Sequence, residues 1–130
     1  MILPDTSAWI EFLRDTGTRS HLLLRDLVER EEPHLTTDTV LMEVLAGARD
    51  ERGLAASRAL LARCQFMPTQ SPSDYERAAD IYRTCRRGGA TIRNLTDCLI
   101  AAVALRAGAA VLHADRDFDA IARFAPLEIA

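Results

Sequence analysis

Five acidic residues sit where a carboxylate needs a reason: Asp5, Glu43, Asp97, Asp115 and Asp117. Asp5 follows Met1-Ile2-Leu3-Pro4 and opens Asp5-Thr6-Ser7; Glu43 interrupts the apolar stretch from Val40 to Ala46. Asp97 leads Asp97-Cys98-Leu99-Ile100-Ala101-Ala102, while Asp115 and Asp117 come just after Ala110-Val111-Leu112-His113. Singly, the aspartates have ordinary explanations, because Asp caps helices, complements the positive end of a helix dipole and makes turns. Glu43 is harder to place, since a carboxylate among apolar neighbours must rotate to solvent or find a partner in a crevice. Together the acids suggest more. Carboxylates converging in one crevice repel each other and keep protons unless a cation neutralises them, and hard cations such as Mg²⁺ or Mn²⁺ prefer such oxygens. Mg²⁺ also keeps waters, which leaves room for a phosphate and an attacking water. The chemistry indicated is phosphodiester hydrolysis.

The elements that must position these acids alternate. Met1 to Leu3 reads as a buried strand, followed by a tight turn and a helix over Ala8 to Leu13; Leu22, Leu23, Leu24, Leu27 and Val28 give a second helix its apolar face. His34-Leu35-Thr36 reads as a brief strand, and Thr37 or Asp38 caps the helix that carries Glu43 and stops at Gly47. A helix over 54–63 and a strand within Cys64 to Met67 follow; then Ser71 or Ser73 opens a helix that ends in Arg86-Arg87-Gly88-Gly89. Asn94 or Thr96 caps a long apolar helix from Asp97 to Ala107, closed by Gly108. A buried strand at 110–113, a short helix and a last extended piece at Leu127 to Ile129 complete the chain. Short buried strands alternating with longer helices predict a three-layer α/β domain with a mainly parallel sheet. In such sheets the functional crevice lies beyond the carboxyl ends of the strands, where Asp5 and Asp115 would meet.

At 130 residues the chain is sized for one domain, residues 1–130, and 48% hydrophobic with 27% charged residues is the balance of a globular protein with a real core. No apolar run approaches a membrane span and the start lacks the pattern of a signal peptide, so a cytoplasmic location is the expectation. Cys64, Cys85 and Cys98 lack metal-type spacing and read as buried thiols. All 16 basic residues are arginines, which excludes Schiff-base chemistry, a P-loop lysine and the lysine of a receiver domain. The net charge of −3 argues against a wholly basic nucleic-acid binder but permits a basic rim around an acidic centre.

With Asp5-Thr6-Ser7, Met42-Glu43-Val44-Leu45-Ala46-Gly47, Leu95-Thr96-Asp97-Cys98-Leu99-Ile100 and Asp115-Arg116-Asp117-Phe118 in this order and spacing, the whole chain resembles a PIN-domain ribonuclease of the VapC toxin branch. That resemblance implies a PIN-like three-layer fold and a Mg²⁺-dependent endoribonuclease, Mn²⁺ substituting, held inactive by a cognate VapB-type antitoxin. It implies an acidic metal site of Asp5, Glu43, Asp97 and Asp115, with Asp117 as an additional or supporting acid and Ser7 as a nearby hydroxyl. It further implies a transfer RNA or ribosomal RNA loop as substrate, 5′-phosphate and 3′-hydroxyl products, and a homodimer. Arg86, Arg87 and Arg93 flank Gly88-Gly89 and are candidates for contacting RNA backbone, a solvated basic helix end being the plainer reading.

Two positions depart from the family pattern. Pro4 stands where an aliphatic strand residue is usual and removes a backbone donor, tolerable if that position faces no partner strand or if the strand ends early. His113 stands where threonine is common; a structural role is favoured over metal ligation. The competing function is a catalytically silent acidic module that binds a basic peptide and needs no divalent ion. A glycosyl-transferring reading of Asp115-Arg116-Asp117 fails on size, because so short a chain has little room for two substrate sites.

Overall fold

The computed structural model describes residues 1–130, with elements in the order β1 (Ile2–Pro4), α1 (Thr6–Leu13), α2 (Arg19–Glu29), β2 (Leu35–Thr36), α3 (Asp38–Ala46), α4 (Glu51–Ala62), β3 (Gln65–Phe66), α5 (Ser73–Arg87), α6 (Leu95–Ala107), β4 (Ala110–Leu112) and α7 (Arg116–Phe124). All strand pairings are parallel: β1 with β4 and β2 with β3, joined by a bridge from Ile2 to His34 and extended past β4 by a bridge from Val111 to Ile129. Parallel neighbours need helical crossovers, so helices flank the sheet: α1 through α4 pack among themselves, α5, α6 and α7 among themselves. The predicted three-layer α/β architecture is what forms.

Pro4 lies inside β1, not beyond its end, with Leu112 as its register partner. Ala110 N–H donates to Met1 O and Asp5 N–H to Leu112 O, so the alternation of a strand points residues 1, 3 and 5 toward β4 and turns the Pro4 nitrogen to the other side. The missing donor therefore leaves the β1–β4 ladder intact. Its effect falls on the β2 side, where pairing with β1 is confined to the bridge at Ile2.

One core of 26 buried apolar residues runs through the domain, and α6 is its axis: from Cys98 to Ala104 every residue is buried. A helix apolar all round must be enclosed, which here fixes the position of the acid at its start. Gly108 ends α6 in the left-handed conformation, φ 66°, as its sequence position suggests. Gly88 ends α5 for another reason, since a Cβ there would stand 2.1 Å from the Phe124 ring of α7. The thiols of Cys64, Cys85 and Cys98 are all free, the first half-buried and the others buried. Helix α4 starts three residues earlier than apolar pattern alone suggests, because Asp50 accepts a capping bond from Gly53 N–H at 2.7 Å.

Candidate active site

The carboxyl ends of β1 and β4 lie side by side, and each runs into a helix capped by an acid. Asp5 caps α1, accepting from Ala8 N–H at 3.0 Å; Asp115 caps α7, accepting from Asp117 N–H at 3.0 Å. Capping and site formation are thus the same act: the cap holds the carboxylate at the sheet edge. Ser7 joins the two loops, since its hydroxyl donates to Asp5 Oδ1 at 2.7 Å and accepts from Ala114 N–H at 2.9 Å.

Three further acids complete the edge. Asp97 enters from the first turn of α6 and Asp117 from the first turn of α7, both buried. Glu43 projects from α3 and accepts from Thr6 Oγ1 at 2.8 Å, so two hydroxyls of Asp5-Thr6-Ser7 orient the acids around them. Oxygens of Asp97, Asp115 and Asp117 lie within 4.8 Å of one another. Asp5 and Glu43 stand outside that compact set, yet their charges, with those of Asp115 and Asp117, act on Asp97.

The electrostatic consequence is concentrated on Asp97. Burial, then the charges of Asp115, Asp5, Asp117 and Glu43, push its carboxyl up to about 7, although a helix N-terminus favours the anion. Its Oδ2 is buried with no hydrogen-bond partner. Asp5 is also raised, by burial, against the bonds from Ala8 and Ser7 that favour the carboxylate.

Arg93, read from sequence as a contact for RNA backbone, is already engaged by the acids. Its Nη2 donates to Asp115 Oδ1 at 2.7 Å, its Nε to Asp117 Oδ2 at 3.1 Å, and its backbone N–H to the same Oδ2 at 3.2 Å. It partly neutralises the outer acids and reaches neither oxygen of Asp97. Arg86 and Arg87 sit exposed at the end of α5, the first over the Tyr82 ring, the second donating to Thr84 Oγ1; neither meets the acids. Both ring nitrogens of His113 are committed: Nδ1 accepts from Asp115 N–H at 3.1 Å and Nε2 donates to Asp119 Oδ1 at 3.1 Å. Its role is structural, steadying the backbone under Asp115.

The donor set fits a hard divalent cation. It consists of oxygens alone, includes one buried oxygen without a partner, and carries negative charge that Arg93 offsets only at its outer edge. The two helpers with no individual signal in the sequence were Thr6, hidden in a short polar run, and Arg93 as a counter-ion, whose partners lie 22 and 24 positions away.

A parallel α/β sheet with five acids around the carboxyl ends of β1 and β4 is consistent with a PIN domain, and the chain belongs to the PIN domain family, whose model matches residues 2–124. It is 40% identical over 131 residues to Ribonuclease VapC11 of Mycobacterium tuberculosis, with 100% of this chain and 98% of the relative covered. The fold is shared with VapBC-1 from nontypeable Haemophilus influenzae, at TM-score 0.75 and 20% identity over 100% of this chain and 97% of that one. It is shared also with Mycobacterium tuberculosis VapC20, described as a sarcin-ricin loop cleaving toxin, at TM-score 0.68 and 21% identity over 98% and 99% of the two chains.

Proposed function

We propose that this chain is the toxin of a VapBC-type pair, an endoribonuclease that hydrolyses RNA phosphodiester bonds with Mg²⁺ or Mn²⁺ at the acidic edge. The carrying observation is Asp97: a buried carboxylate with a bare oxygen, surrounded by like charges and given no cation by its own fold. Family membership and the 40% identity to a named ribonuclease support the reaction class.

Asp97, Asp115 and Asp117 would hold the cation, with Asp5 and Glu43 adding charge around it. A divalent ion bound there would supply the charge that makes water a nucleophile near neutral pH and offsets the phosphate oxygens. Asp97 must give up its proton for the centre to carry its full charge. Ser7 and Thr6 hold Asp5 and Glu43 at fixed orientations, so that little reorganisation is needed when substrate arrives. Arg93 keeps the two carboxylates of α7 aligned and is the nearest cation to a phosphate bound at that edge. Hydrolysis of this kind leaves a 5′-phosphate and a 3′-hydroxyl. The substrate is a transfer RNA or a ribosomal RNA loop, the latter class named for VapC20.

The partner reading rests on a groove of about 580 Å³ between α1, α3 and α4, whose wall includes Ile10, Leu13, Val44 and Ala56 and reaches Glu43. An amphipathic antitoxin segment with a basic residue at one end suits that shape, the apolar side chains in the groove and the cation at the acids. A homodimer follows from the family resemblance. No helix is long and apolar enough to cross a membrane.

Purified total RNA incubated with Mg²⁺, Mn²⁺ or EDTA, using the wild-type chain, Asp5→Ala and Asp97→Ala, tests the reading. Discrete 5′-phosphate ends that need metal and vanish in both variants are expected. Folded, antitoxin-free protein that makes no metal-dependent cuts would overturn it.

A further inference from the structure

Beside the acids, on the far side of Asp117, a second depression of about 560 Å³ opens between the α5–α6 loop and α7. Ala90 and Thr91 form its loop wall; Arg116, Asp117, Asp119 and Arg123 form its helix wall. Positions 116, 119 and 123 of one helix fall on one face, so two long arginine side chains and the shorter Asp119 share the opening.

The charges there are not balanced locally. Asp117 gives its Oδ2 to Arg93, and Asp119 gives Oδ1 to His113, whose Nδ1 is fixed as acceptor by Asp115 N–H and whose Nε2 is therefore the donor. Asp119 is thereby held by His113 even though Arg116 and Arg123 stand three positions before and four after it. Those two arginines are exposed and make no hydrogen bond or ion pair; Arg123 only lies over the Phe124 ring, 5.7 Å from its centre. The depression thus pairs its acids internally and presents two uncommitted guanidinium groups.

We infer that this depression is a phosphate-binding subsite, in which Arg116 and Arg123 hold a backbone phosphate of the RNA strand next to the bond cut at Asp97, Asp115 and Asp117. The inference rests on the ribonuclease reading above. Guanidinium groups suit phosphate because their planar forks match its oxygens. The shared wall at Asp117 makes the subsite continuous with the acidic edge, and a single strand can bend from one to the other. The pair sits on α7, distinct from Arg86 and Arg87 at the end of α5.

The test titrates a fluorescein-labelled single-stranded oligoribonucleotide of mixed sequence, in EDTA, with the full-length wild type, Arg116→Gln/Arg123→Gln, Arg116→Lys/Arg123→Lys and Arg86→Gln/Arg87→Gln. Loss of the phosphate contact that the two arginines share weakens binding by about tenfold and lowers the salt slope by roughly 0.7. The lysine pair recovers part of that affinity, which a purely structural role would not allow, and the α5 pair changes it less. Melting temperature and Mn²⁺ binding stay at wild-type values. If the glutamine pair binds RNA as the wild type does while wild-type cleavage remains metal-dependent, the subsite is refuted and the nuclease stands. If the pair instead loses affinity only for a partner antitoxin, the arginines serve a protein acid and the inference fails. A wild type that neither binds nor cuts RNA overturns both readings.

Discussion

Asp74 and Asp97 are both buried aspartates, 3% and 7% exposed, in the first turns of the adjoining helices α5 and α6, and they are opposites. Burial raises the Asp74 carboxyl, but hydrogen bonds and charge from Arg106 and a bond from Gln70 N–H outweigh it, and the result lies below the ordinary range. Arg106 Nη2 reaches Asp74 Oδ2 at 2.9 Å and Pro68 O at 2.7 Å, so the pair clamps the approach to α5 onto α6. Asp97 has the same kind of burial, four carboxylates in place of an arginine, and an oxygen with no partner. The fold supplies Asp74's counter-ion and withholds Asp97's. Where a protein leaves such a charge uncompensated, the compensation comes from a ligand.

The sharpest way to break the contrast is to remove each charge. Asp97→Asn should lower RNA cleavage by at least about 10³-fold, equivalent to ~4 kcal/mol in the barrier, and abolish metal binding. The same change should raise the melting temperature of the metal-free chain, since it deletes a repelled carboxylate. Arg106→Ala should do the reverse, costing about 3–5 kcal/mol in denaturant unfolding by stranding Asp74, with metal affinity unchanged below the transition. Arg106→Met with Asp74→Leu should recover most of that loss, because an apolar pair leaves no buried charge.

Ser7→Ala should have a smaller effect. It removes the hydroxyl between Asp5 and Ala114 and should cost about 1 kcal/mol in stability, with roughly a tenfold fall in kcat from the loosened Asp5.

The smallest expected signal is in pH. Asp97 titrates near 7 when folded against an ordinary 3.8, so its stabilising contribution is complete below about 3.8 and lost as pH rises through about 7. Asp74, shifted down, contributes above 3.8 and loses that contribution only in stronger acid. Between about pH 5.5 and 8, the metal-free wild type should therefore lose more in melting temperature than Asp97→Asn. Saturating Mn²⁺ should remove the difference.

The two aspartates were not equally legible. Asp97 taken singly reads as a complement to its helix dipole, and it became legible only in company, with Asp5, Glu43 and Asp115 at matching family positions; of these only Glu43, inside an apolar run, demanded a reason by itself. Asp74 looks like any acid in a helix's first turn, because its partner is 32 residues away and nothing local marks the pair. Arg93 shows the same limit: a basic residue beside two glycines reads as a contact for RNA, and only the fold brings it onto Asp115 and Asp117. Pro4 could be reasoned about only conditionally, since the direction of one backbone nitrogen depends on which strands flank it. The parallel α/β pattern, in contrast, was visible from the alternation of short apolar runs with helices, a local property of the chain.

Titration of metal-free wild type and Asp97→Asn with Mn²⁺ at neutral pH, followed calorimetrically, tests most directly whether the acidic edge is built for a cation. Saturable binding by the wild type that disappears in Asp97→Asn, with both proteins folded, is the predicted result. Wild-type protein that binds no Mn²⁺, or a variant that binds it equally well, would contradict the assignment of Asp97 as the acid left for a ligand to neutralise.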